Sequence, residues 1–482
     1  MTTISSPGIG SGLDVNSIIT QLVAIERQPI DVLKAKSTKI QAQISEYGKL
    51  KSAISAFRDA SLKLTSNGTW GLSVGTSSDS TAVGVTVKSG AAVGSYSLQV
   101  QTLAKTQSLA SKVYASAATT PGAGTLHIEL GAWGTGTPNP TFTPKSGATA
   151  VDITVEATDT LAQVRDKINA ANAGVTAMVL TDASGSRLML RSAATGAVNA
   201  FRTTVVDADG NNTNATGLSA LAYNLSAGVA RMTRTETAAN AAATLNGLAI
   251  TSPSNTLADV VDGVTLTLGK VTTSVVDIKV VQDNESLKKA VQAFADAYNA
   301  LNTLIAGEVK YDAASKTGGP LQGDSTAVGL QRQMRTLMGS SSGASSVFTR
   351  LSDVGLEMQR DGSLSVTAGK LDTALANLPE LKKLFANSDT LVPGNDGIAR
   401  QFRAMGDSLL SVDGAISTRT DGLRKRIELN QDAQDRLDLR VAQTEKRLRA
   451  QYTALDATLG RMSGLSQYVT QQMAMFTNST KA

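Results

Sequence analysis

Apolar residues recur at alternating steps of three and four along the last part of the chain, residues 420–476, which contains no proline. Polar residues stand at some of these positions, as at Asn430, Gln434 and Thr444. Charged residues fill the positions between, and this pattern is typical of a coiled coil. A helix of this span would be roughly 80 Å long, so it needs another helix to cover its apolar stripe. The apolar seam positions that we expect to make assembly contacts are Leu423, Ile427, Leu437, Val441, Leu448, Leu455, Leu459, Met462 and Val469.

One irregularity interrupts this repeat. The steps from Thr444 to Leu448 and from Leu448 to Tyr452 are both four residues, a stutter that locally unwinds the supercoil. The seam could be one face of an ordinary helical bundle, or a coil that assembles with something else. The polar seam positions and the stutter favour the second interpretation.

The N-terminal part of the chain carries a comparable pattern. Asp14 is a predicted N-cap for a helix with one apolar face, and Pro29 is expected to break or restart that helix. From Leu33 a second seam continues through Ile40 and Ile44, which we include among the assembly contacts. Both ends of the chain therefore offer long amphipathic helices. The economical inference is that they pack together and that the rest of the chain is inserted between them.

Between residues 74 and 281 the pattern changes to short alternating segments separated by turns rich in Gly, Ser, Asn and Asp, which predicts β-sheet modules. One helix, 160–171, interrupts them. Helices return at Asn284 and again over 325–338, 368–376 and 379–385, with a β-hairpin around 360–362. The predicted fold is α+β and multidomain: the N- and C-terminal helices pair as a coiled-coil leg, and β-rich head domains are inserted. The predicted strands are 82–88, 95–100, 126–130, 151–155, 175–180, 187–190, 243–250, 263–268 and 275–281.

Composition narrows the functional classes. The chain has 482 residues, enough for three or four domains, but aromatic residues make up only 4%, which argues against a deep aromatic ligand pocket. Cysteine is absent and there is one histidine, so thiolate chemistry and Cys-based zinc sites are excluded. The net charge of +5 is spread among acidic residues, so nucleic-acid binding is not expected. No apolar run has the length of a membrane span, and the N-terminus lacks the features of a cleavable secretory signal.

Candidate catalytic and metal-binding residues are few. A Ser-His pair could be built only on His127, which lies in an alternating strand. Asp207 and Asp209 resemble the start of a calcium loop, but the downstream Glu and the flanking helices are missing, so a turn is the better interpretation. Asp259 and Asp262 lie in a turn that enters a strand. We expect no enzyme activity, no cofactor and no metal.

Several segments resemble a known family, the bacterial flagellar filament cap proteins, also called hook-associated protein 2. The opening SSPGIGSGLDVNSIITQLVAIERQPIDVLKAK and the later YSLQVQTLAKTQSLAS carry this resemblance. Residues 152–172 are similar to a module repeated in flagellins and hook-associated proteins. Residues 244–268, 351–385 and 459–476 match further family segments in the same order.

The resemblance implies a protomer with a helical leg and two inserted heads. The expected segments are an N-terminal coiled coil (1–44), a leg domain in two parts (45–73 and 282–419), an inner head in two parts (74–125 and 229–281), an outer head with the flagellin/hook-type repeat (126–228), and a C-terminal coiled coil (420–482).

The resemblance also implies a function. Family members assemble as homo-oligomeric rings, commonly pentamers, at the distal end of the flagellar filament, where they retain exported flagellin and promote its polymerisation, as motility requires. The implied partners are flagellin, the hook-filament junction proteins and a flagellar export chaperone. The implied location is extracellular, at the filament tip, reached by the flagellar type III route.

Two alternatives remain open at this stage. One is another flagellar axial protein, a flagellin or a hook-filament junction protein, with the same nesting of helix, sheet and helix. The other is an adhesin that binds host glycans through its head, which exposed aromatic residues would support. The two tryptophans, Trp70 and Trp133, are interpreted as packing residues.

Overall fold

The computed structural model describes residues 14–314 and 316–479, with side chains through residue 475. The chain divides into two compact units. One unit contains both ends of the chain, up to Ser66 and from Leu287, and the other is Asn67–Ser286. The first unit is mostly helical and the second mostly β-sheet, so the predicted α+β fold with β-rich modules nested between terminal helices is confirmed. The finer division into seven segments stays a prediction.

The helices follow the predicted order, with two additions, a four-residue helix at 67–70 and a longer one at 398–410. Asp14 caps the first helix, because its Oδ1 accepts a hydrogen bond of 3.0 Å from the backbone N–H of Ser17. The helix at 398–410 was not predicted. The helices are α1 (Val15–Thr65), α2 (Asn67–Trp70), α3 (Leu161–Ala170), α4 (Asn284–Val309), α5 (Ser325–Met338), α6 (Ala368–Leu375), α7 (Leu378–Ala386), α8 (Ile398–Leu410) and α9 (Ala415–Ser479).

The strands lie mainly in the second unit. They are β1 (Ser73–Ser77), β2 (Val83–Val87), β3 (Gly94–Thr102), β4 (Ser108–Ala110), β5 (Gly124–Trp133), β6 (Phe142–Pro144), β7 (Val151–Val155), β8 (Val175–Asp182), β9 (Gly185–Ser192), β10 (Ala200–Asp207), β11 (Tyr223–Asn224), β12 (Val229–Ala230), β13 (Thr233–Glu236), β14 (Ala241–Leu245), β15 (Leu248–Ser252), β16 (Thr256–Val261), β17 (Val264–Leu268), β18 (Val276–Gln282), β19 (Tyr311–Asp312), β20 (Thr317–Gly318), β21 (Leu356–Met358) and β22 (Leu364–Val366).

The prediction that Pro29 interrupts the first helix is wrong, because α1 is continuous from Val15 to Thr65. A proline inside a helix leaves the carbonyl four residues earlier without its N–H donor and costs about 3 kcal/mol. Here Pro29 and Ile25 are exposed, so the freed carbonyl can be hydrated. Val23 and Ile30 on the other face are buried against α9, and this packing holds the helix together across the proline.

An aromatic cluster forms the core where α1, α4 and α8 meet. The ring of Phe57 lies 5.2 Å from Phe294, 5.8 Å from Tyr298 and 5.0 Å from Phe402, measured between centroids. Such tilted and edge-on pairs add stability beyond the burial of their surface. The unpredicted helix α8 supplies one side of this core with apolar residues at helical spacing, namely Ile398, Phe402, Met405 and Leu409.

One half of the second unit contains two antiparallel sheets around a shared core. The larger sheet has the strand order β1-β18-β3-β14-β15, and the smaller has β16-β17-β2. The core consists of alanine, valine, leucine and isoleucine side chains. Fully or almost fully buried members are Val83, Leu98, Val100, Leu266, Ile278 and Val280.

The prediction of a single strand over 243–250 is wrong. This stretch is a hairpin in which β14 and β15 pair with Leu245 opposite Leu248. The two residues of the turn, Asn246 and Gly247, have φ angles of 49° and 84°. A two-residue turn with positive φ at both positions is the type I′ turn, for which Asn-Gly is the favoured sequence.

The other half of the second unit has its own core. Its six-stranded sheet contains β12-β11-β10-β5-β6 with β7 paired to β5, and its four-stranded sheet has the order β13-β4-β9-β8. Helix α3 packs on them and begins with a capping box: the Thr160 N–H donates to Gln163 Oε1 at 2.8 Å, and the Gln163 N–H donates to Thr160 Oγ1 at 3.3 Å. Leu161, Val164 and Ile168 of α3 are fully buried in this core.

Candidate functional site: the paired terminal helices

Helices α1 and α9 run antiparallel and bury a common seam. Near the start of α1, Asn16 Oδ1 accepts a hydrogen bond of 3.4 Å from Arg449 of α9. Further along α1, Tyr47 lies beside the first turns of α9, where Arg419 is located. The predicted pairing of the chain ends is therefore confirmed. The seam consists of Val15, Ile19, Val23, Ile30 and Val441, with Leu437, Leu448 and Tyr452 packed against them.

The predicted assembly residues fall into three groups by burial. Ile40, Leu423 and Val441 are buried, and Ile44, Ile427, Leu437, Leu448 and Leu459 are half-buried. Leu455, Met462 and Val469, all beyond the stutter, are exposed. The structure thus brings the residues before the stutter together with α1. It leaves those after the stutter largely uncovered within the described part of the chain.

A polar layer interrupts the buried part of the seam. Asn430 and Gln434 are both only 6% exposed, and Gln434 Nε2 donates a hydrogen bond of 2.7 Å to Asn430 Oδ1. The Nδ2 of Asn430 is buried and has no hydrogen-bond partner among the described residues. A buried polar pair of this kind favours one register of a coiled coil at a cost in stability.

The last third of α9 carries an exposed apolar stripe. Beyond Tyr452 the seam continues as a run of large apolar side chains in water, and Met473 is 70% exposed. A soluble protein seldom leaves such a stripe uncovered unless it serves for binding. The exposed members are Leu455, Met462, Leu465, Tyr468, Val469, Met473 and Met475.

A buried charge network joins the coil to the rest of the first unit. Asp324 caps α5 and is 5% exposed. Its Oδ1 accepts a hydrogen bond of 2.6 Å from the Tyr47 hydroxyl of α1, and its Oδ2 accepts bonds of 2.9 and 2.7 Å from Arg419 of α9. Burial alone would raise the pKa of Asp324, but the hydrogen bonds from Tyr47 and Arg419 lower it below its usual value. Burial also raises the pKa of the Tyr47 hydroxyl, with the hydrogen bond to Asp324 adding to the effect.

Sequence reasoning missed this network. An aspartate directly before a predicted helix is a local signal for an N-cap, so the capping role of Asp324 could have been found. Its other partners could not, because Tyr47 and Arg419 are 277 and 95 residues away along the chain.

Two carboxyl groups meet where α1 packs beside the end of α4. Glu46 binds Lys49 at 2.9 Å through Oε1, while Glu46 Oε2 and Glu308 Oε2 are buried without a hydrogen-bond partner in the described part of the chain. Burial and the neighbouring Glu46 raise the pKa of Glu308. A proton held between the two carboxyl groups would satisfy both of these oxygens.

All but one of the candidate catalytic and ligand-binding residues have structural partners. His127 is half-buried on β5 and contacts Asp152 of the adjacent strand β7 through Nδ1. Asp207 accepts a hydrogen bond of 2.7 Å from the Ser219 backbone N–H, and Asp209 accepts one of 2.8 Å from the backbone N–H of Asn211, so both carboxylates hold their own loop. Asp259 forms an ion pair with Lys88 at 2.9 Å. Asp262 has no resolved partner in the described part of the chain.

The tryptophans pack against neighbouring side chains. Trp70 is buried. The ring of Trp133 lies 4.8 Å from Phe142 and 5.8 Å from Tyr223, and its Nε1 donates a hydrogen bond of 3.0 Å to the buried Gln107. Both tryptophans are therefore used in packing.

Residues 14–314 and 316–479 contain neither a metal-binding cluster nor a helix suited to cross a membrane. Across these residues, no cluster of three or more His, Asp or Glu side chains could hold a metal ion. No helix in the same ranges combines the length and the apolar character that crossing a membrane requires.

The chain matches known families along most of its length. Residues 11–107 match the family described as Flagellar hook-associated protein 2 N-terminus, and residues 238–464 match its C-terminus counterpart. Residues 139–194 match the Flagellin hook IN motif, which agrees with the resemblance seen in the sequence.

Individual relatives are similar over the full chain. The Flagellar hook-associated protein 2 of Escherichia coli (strain K12) is 31% identical over 99% of this chain and 100% of its own. The A-type flagellar hook-associated protein 2 of Pseudomonas aeruginosa is 30% identical over 98% of this chain and 97% of its own. The crystal structure of the flagellar cap protein FliD D1-D2-D3 domains from Escherichia coli has a TM-score of 0.62 at 29% identity, covering 79% of this chain and 99% of that one. With a matching fold and full-length similarity in sequence, this chain belongs to the flagellar hook-associated protein 2 family.

Proposed function

We propose that this chain is the subunit of a flagellar filament cap. It would form a ring at the distal end of the filament, retain exported flagellin there and promote its polymerisation, as motility requires. The observation that carries the proposal is the similarity, over essentially the whole chain, to relatives named flagellar hook-associated protein 2 and to a structure titled as a flagellar cap protein. The alternatives of a flagellin or a junction protein are not favoured, because the family match extends from the N-terminal to the C-terminal segment.

The paired terminal helices are the part of the chain that we assign to the filament. The distal stripe of α9, from Leu455 to Met475, is exposed and apolar, so docking on filament subunits would remove it from water. The polar layer limits the stability of the coil itself. Asn430 and Gln434 each replace a large apolar side chain whose burial would contribute about 1.5–3 kcal/mol. A marginal coil can release and rebind as the cap advances with each added subunit.

The remaining parts of the proposal follow from family membership. The ring would be a pentamer, although coil seams of this kind suit several ring sizes. Its partners would be flagellin, the hook-filament junction proteins and a flagellar export chaperone. The chain would act outside the cell, at the filament tip, after export by the flagellar type III route without a cleaved signal. The role is structural, so we propose no catalytic activity, cofactor, nucleic-acid binding or membrane insertion.

The seven-segment division belongs to the same proposal. Two separate apolar cores within Asn67–Ser286 support an inner and an outer head. The aromatic cluster around Phe57 supports a leg domain built from both ends of the chain. A role in adhesion is not developed further, because Trp70 and Trp133 are both used in packing.

Complementation tests the proposed function. The chain is expressed in flagellated cells that lack their own cap protein, and filament length is measured by electron microscopy beside the same cells with an empty vector. We expect filaments of normal length with the chain and secreted, unpolymerised flagellin without it. Export of the chain without any gain in filament length, from cells whose own cap gene restores growth, would contradict the proposal.

A further inference from the structure

The two sides of the α1–α9 coil differ in charge. On one side, the positions next to the buried seam carry basic and apolar residues, and we call this side the basic flank. A cleft on this side is lined by residues of both helices, among them Lys36, Ile40, Arg426 and Ala433, so the two helices present these positions together. The basic residues of the flank are Lys36 and Lys39 of α1 and Arg426, Arg436, Arg440 and Arg447 of α9.

The charges of the basic flank are unpaired. All six of these side chains are exposed, and within the described residues none forms an ion pair. Arg426, Arg440 and Arg447 are separated by one or two heptads, so they form a line along α9. Acidic residues on this helix occupy other positions, so the flank has no internal counterion.

The same flank exposes apolar side chains of α1. Leu22, Ile25 and Val32 follow steps of three and seven residues, and together with Pro29 they form a second stripe beside the buried seam. Ile25 is 61% exposed and Val32 is 68% exposed. A helix with two apolar stripes is typical of one that contacts two neighbours.

The polar layer borders this flank at Asn430. Asn430 lines the same cleft as Lys36 and Arg426, and its buried Nδ2 lacks an acceptor in the described part of the chain. Both charged side chains of the cleft, Lys36 and Arg426, are basic, and apart from Asn430 the rest of its lining is apolar. A carboxylate or an amide oxygen from a neighbouring helix would complement it.

The opposite side of α9 carries a strip of acidic residues. Asp432, Asp435 and Asp438 are exposed and form no ion pair with described residues. Glu428 extends the strip and pairs with Lys425 at 2.8 Å. Arg27 and Lys34 of α1 lie on the same side of the coil as these acidic residues. This side is therefore negatively charged only along α9. We call Glu428, Asp432, Asp435 and Asp438 the acidic strip.

We propose that the basic flank of one copy packs on the acidic strip of the next copy of this chain. On α9 the basic flank spans residues 426–447 and the acidic strip spans residues 428–438. Because these ranges overlap, two copies can be joined side by side with little axial offset. Charges beside a coiled-coil seam set the choice of partner. Because the two surfaces differ, a pair of copies still has one free basic flank and one free acidic strip, so the contact repeats until a ring closes. The inference rests on the proposed function and adds the surfaces through which the coils of the ring meet.

Cross-linking between two singly substituted full-length chains tests this contact. The chain has no cysteine, so Arg440→Cys places one thiol on the basic flank and Asp438→Cys places one on the acidic strip of a separate chain. The two variants are mixed before assembly and treated with a short bismaleimide. We expect cross-linked dimers in the mixture and none with either variant alone. If one variant alone cross-links as much as the mixture does, like surfaces meet. If the mixture gives no cross-link, the two surfaces do not meet. Either result overturns the proposal.

Charge reversal gives an independent test of the same pairing. Arg436→Glu with Arg440→Glu reverses the basic flank, and Asp435→Arg with Asp438→Arg reverses the acidic strip. Each double variant should lower the mass of the assembly in solution at least twofold, and the chain with all four changes should recover it. Circular dichroism confirms that the helices are retained. If neither reversal changes the mass of the assembly, the proposal is contradicted. The same holds if the variant with all four changes does not recover the wild-type mass.

Filament growth separates this inference from the proposed function. The cysteine variants, without cross-linker, are expressed in cells that lack a cap protein. If they restore filament growth but their mixture gives no cross-link, the cap function stands and the pairing of the two surfaces is wrong. If the wild-type chain itself fails to restore growth, the proposed function is wrong.

Discussion

Gln434 donates a hydrogen bond of 2.7 Å to Asn430, one turn earlier on α9, within a seam whose neighbouring positions are apolar. Each of these two side chains forgoes the apolar burial that a leucine would provide at the same position. The Nδ2 of Asn430 is also left without an acceptor in the described part of the chain. The coil is thus less stable than its length would allow, and this marginal stability is the basis of the proposed release and rebinding at the filament tip.

Replacing the polar layer should stabilise the coil and impair the cap. For Asn430→Leu with Gln434→Leu we expect the free energy of unfolding to rise by about 1–3 kcal/mol, because two buried polar groups become apolar. Thermal unfolding measures the gain, and filament length in complemented cells measures the loss of function. Gln443→Leu, an exposed position of α9, is the matched control and should change neither. A stabilised coil that supports normal growth would contradict the role given to marginal stability.

Removing the charge of Asp324 should destabilise the first unit more than removing any other single charge in it. Asp324→Asn leaves the Arg419 guanidinium, which is a third exposed, without its carboxylate partner and should cost about 2–3 kcal/mol. Chemical denaturation at pH 7 measures the loss, with the exposed Asp421→Asn as control. An effect no larger than that of the control would mean that the network does not hold the coil to α5.

The same residue predicts a dependence on acid. The pKa of Asp324 is lowered in the folded chain, so its contribution to stability is present above the ordinary value of 3.8 and is lost as the pH falls through the folded value. Wild-type stability should therefore fall more steeply below pH 4 than that of Asp324→Asn. Parallel curves for the two proteins would contradict this assignment.

Glu308 should show the opposite dependence. Its pKa is raised by burial and by Glu46, so its contribution is fully present below the ordinary value of 4.5 and is lost as the pH rises through the folded value. Glu308→Gln removes the charge and should stabilise the chain by about 1 kcal/mol at pH 7, with a smaller difference at pH 4. Denaturant titrations at both pH values measure this, and the exposed Glu26→Gln is the control. Destabilisation at pH 7 would show that the carboxylate has a partner that the geometry does not reveal.

Gln107 should hold together the β-sheet core on which helix α3 packs. It is fully buried, its Nε2 donates to the Phe201 carbonyl at 2.7 Å, and its Oε1 accepts from Trp133 at 3.0 Å. Gln107→Leu leaves both groups unpaired and should cost about 2–3 kcal/mol. Tryptophan fluorescence during unfolding follows the change, because Trp133 is one of two tryptophans, and the exposed Gln101→Leu is the control. Equal unfolding midpoints in the two variants would contradict the assignment.

The elements that the sequence predicts well are those set by local periodicity. The seam from Leu423 to Leu448 repeats over several heptads, and the alternating strands between residues 82 and 281 occur nearly where expected. The prediction at Pro29 was wrong because the free-energy cost of a proline inside a helix depends on whether the carbonyl that loses its N–H donor faces water. A local sequence pattern does not reveal this. The Asn246–Gly247 turn did carry a local signal, but the apolar residues on both sides were assigned to one strand.

The remaining features depend on contacts between distant parts of the chain. Arg419 is one of several arginines of the C-terminal stretch, and only the fold shows that it reaches Asp324. The charges of α9 look evenly interleaved in the sequence, and only the fold shows that Lys36 of α1 lines the same cleft as Arg426 of the basic flank. Composition and motif content led us to expect no catalysis, whereas the surfaces that we propose for assembly could be described only with the structure.

Truncation after Leu448 is the most direct test of the account. It removes the exposed stripe from Leu455 to Met475 while leaving the buried seam before the stutter and both β-rich cores intact. Filament length is measured in cells that lack their own cap protein and express either the truncated or the full-length chain, with circular dichroism of the purified proteins as the control for folding. The account predicts that the truncated chain folds but supports no filament growth. Filaments of normal length from cells that express the truncated chain would contradict it.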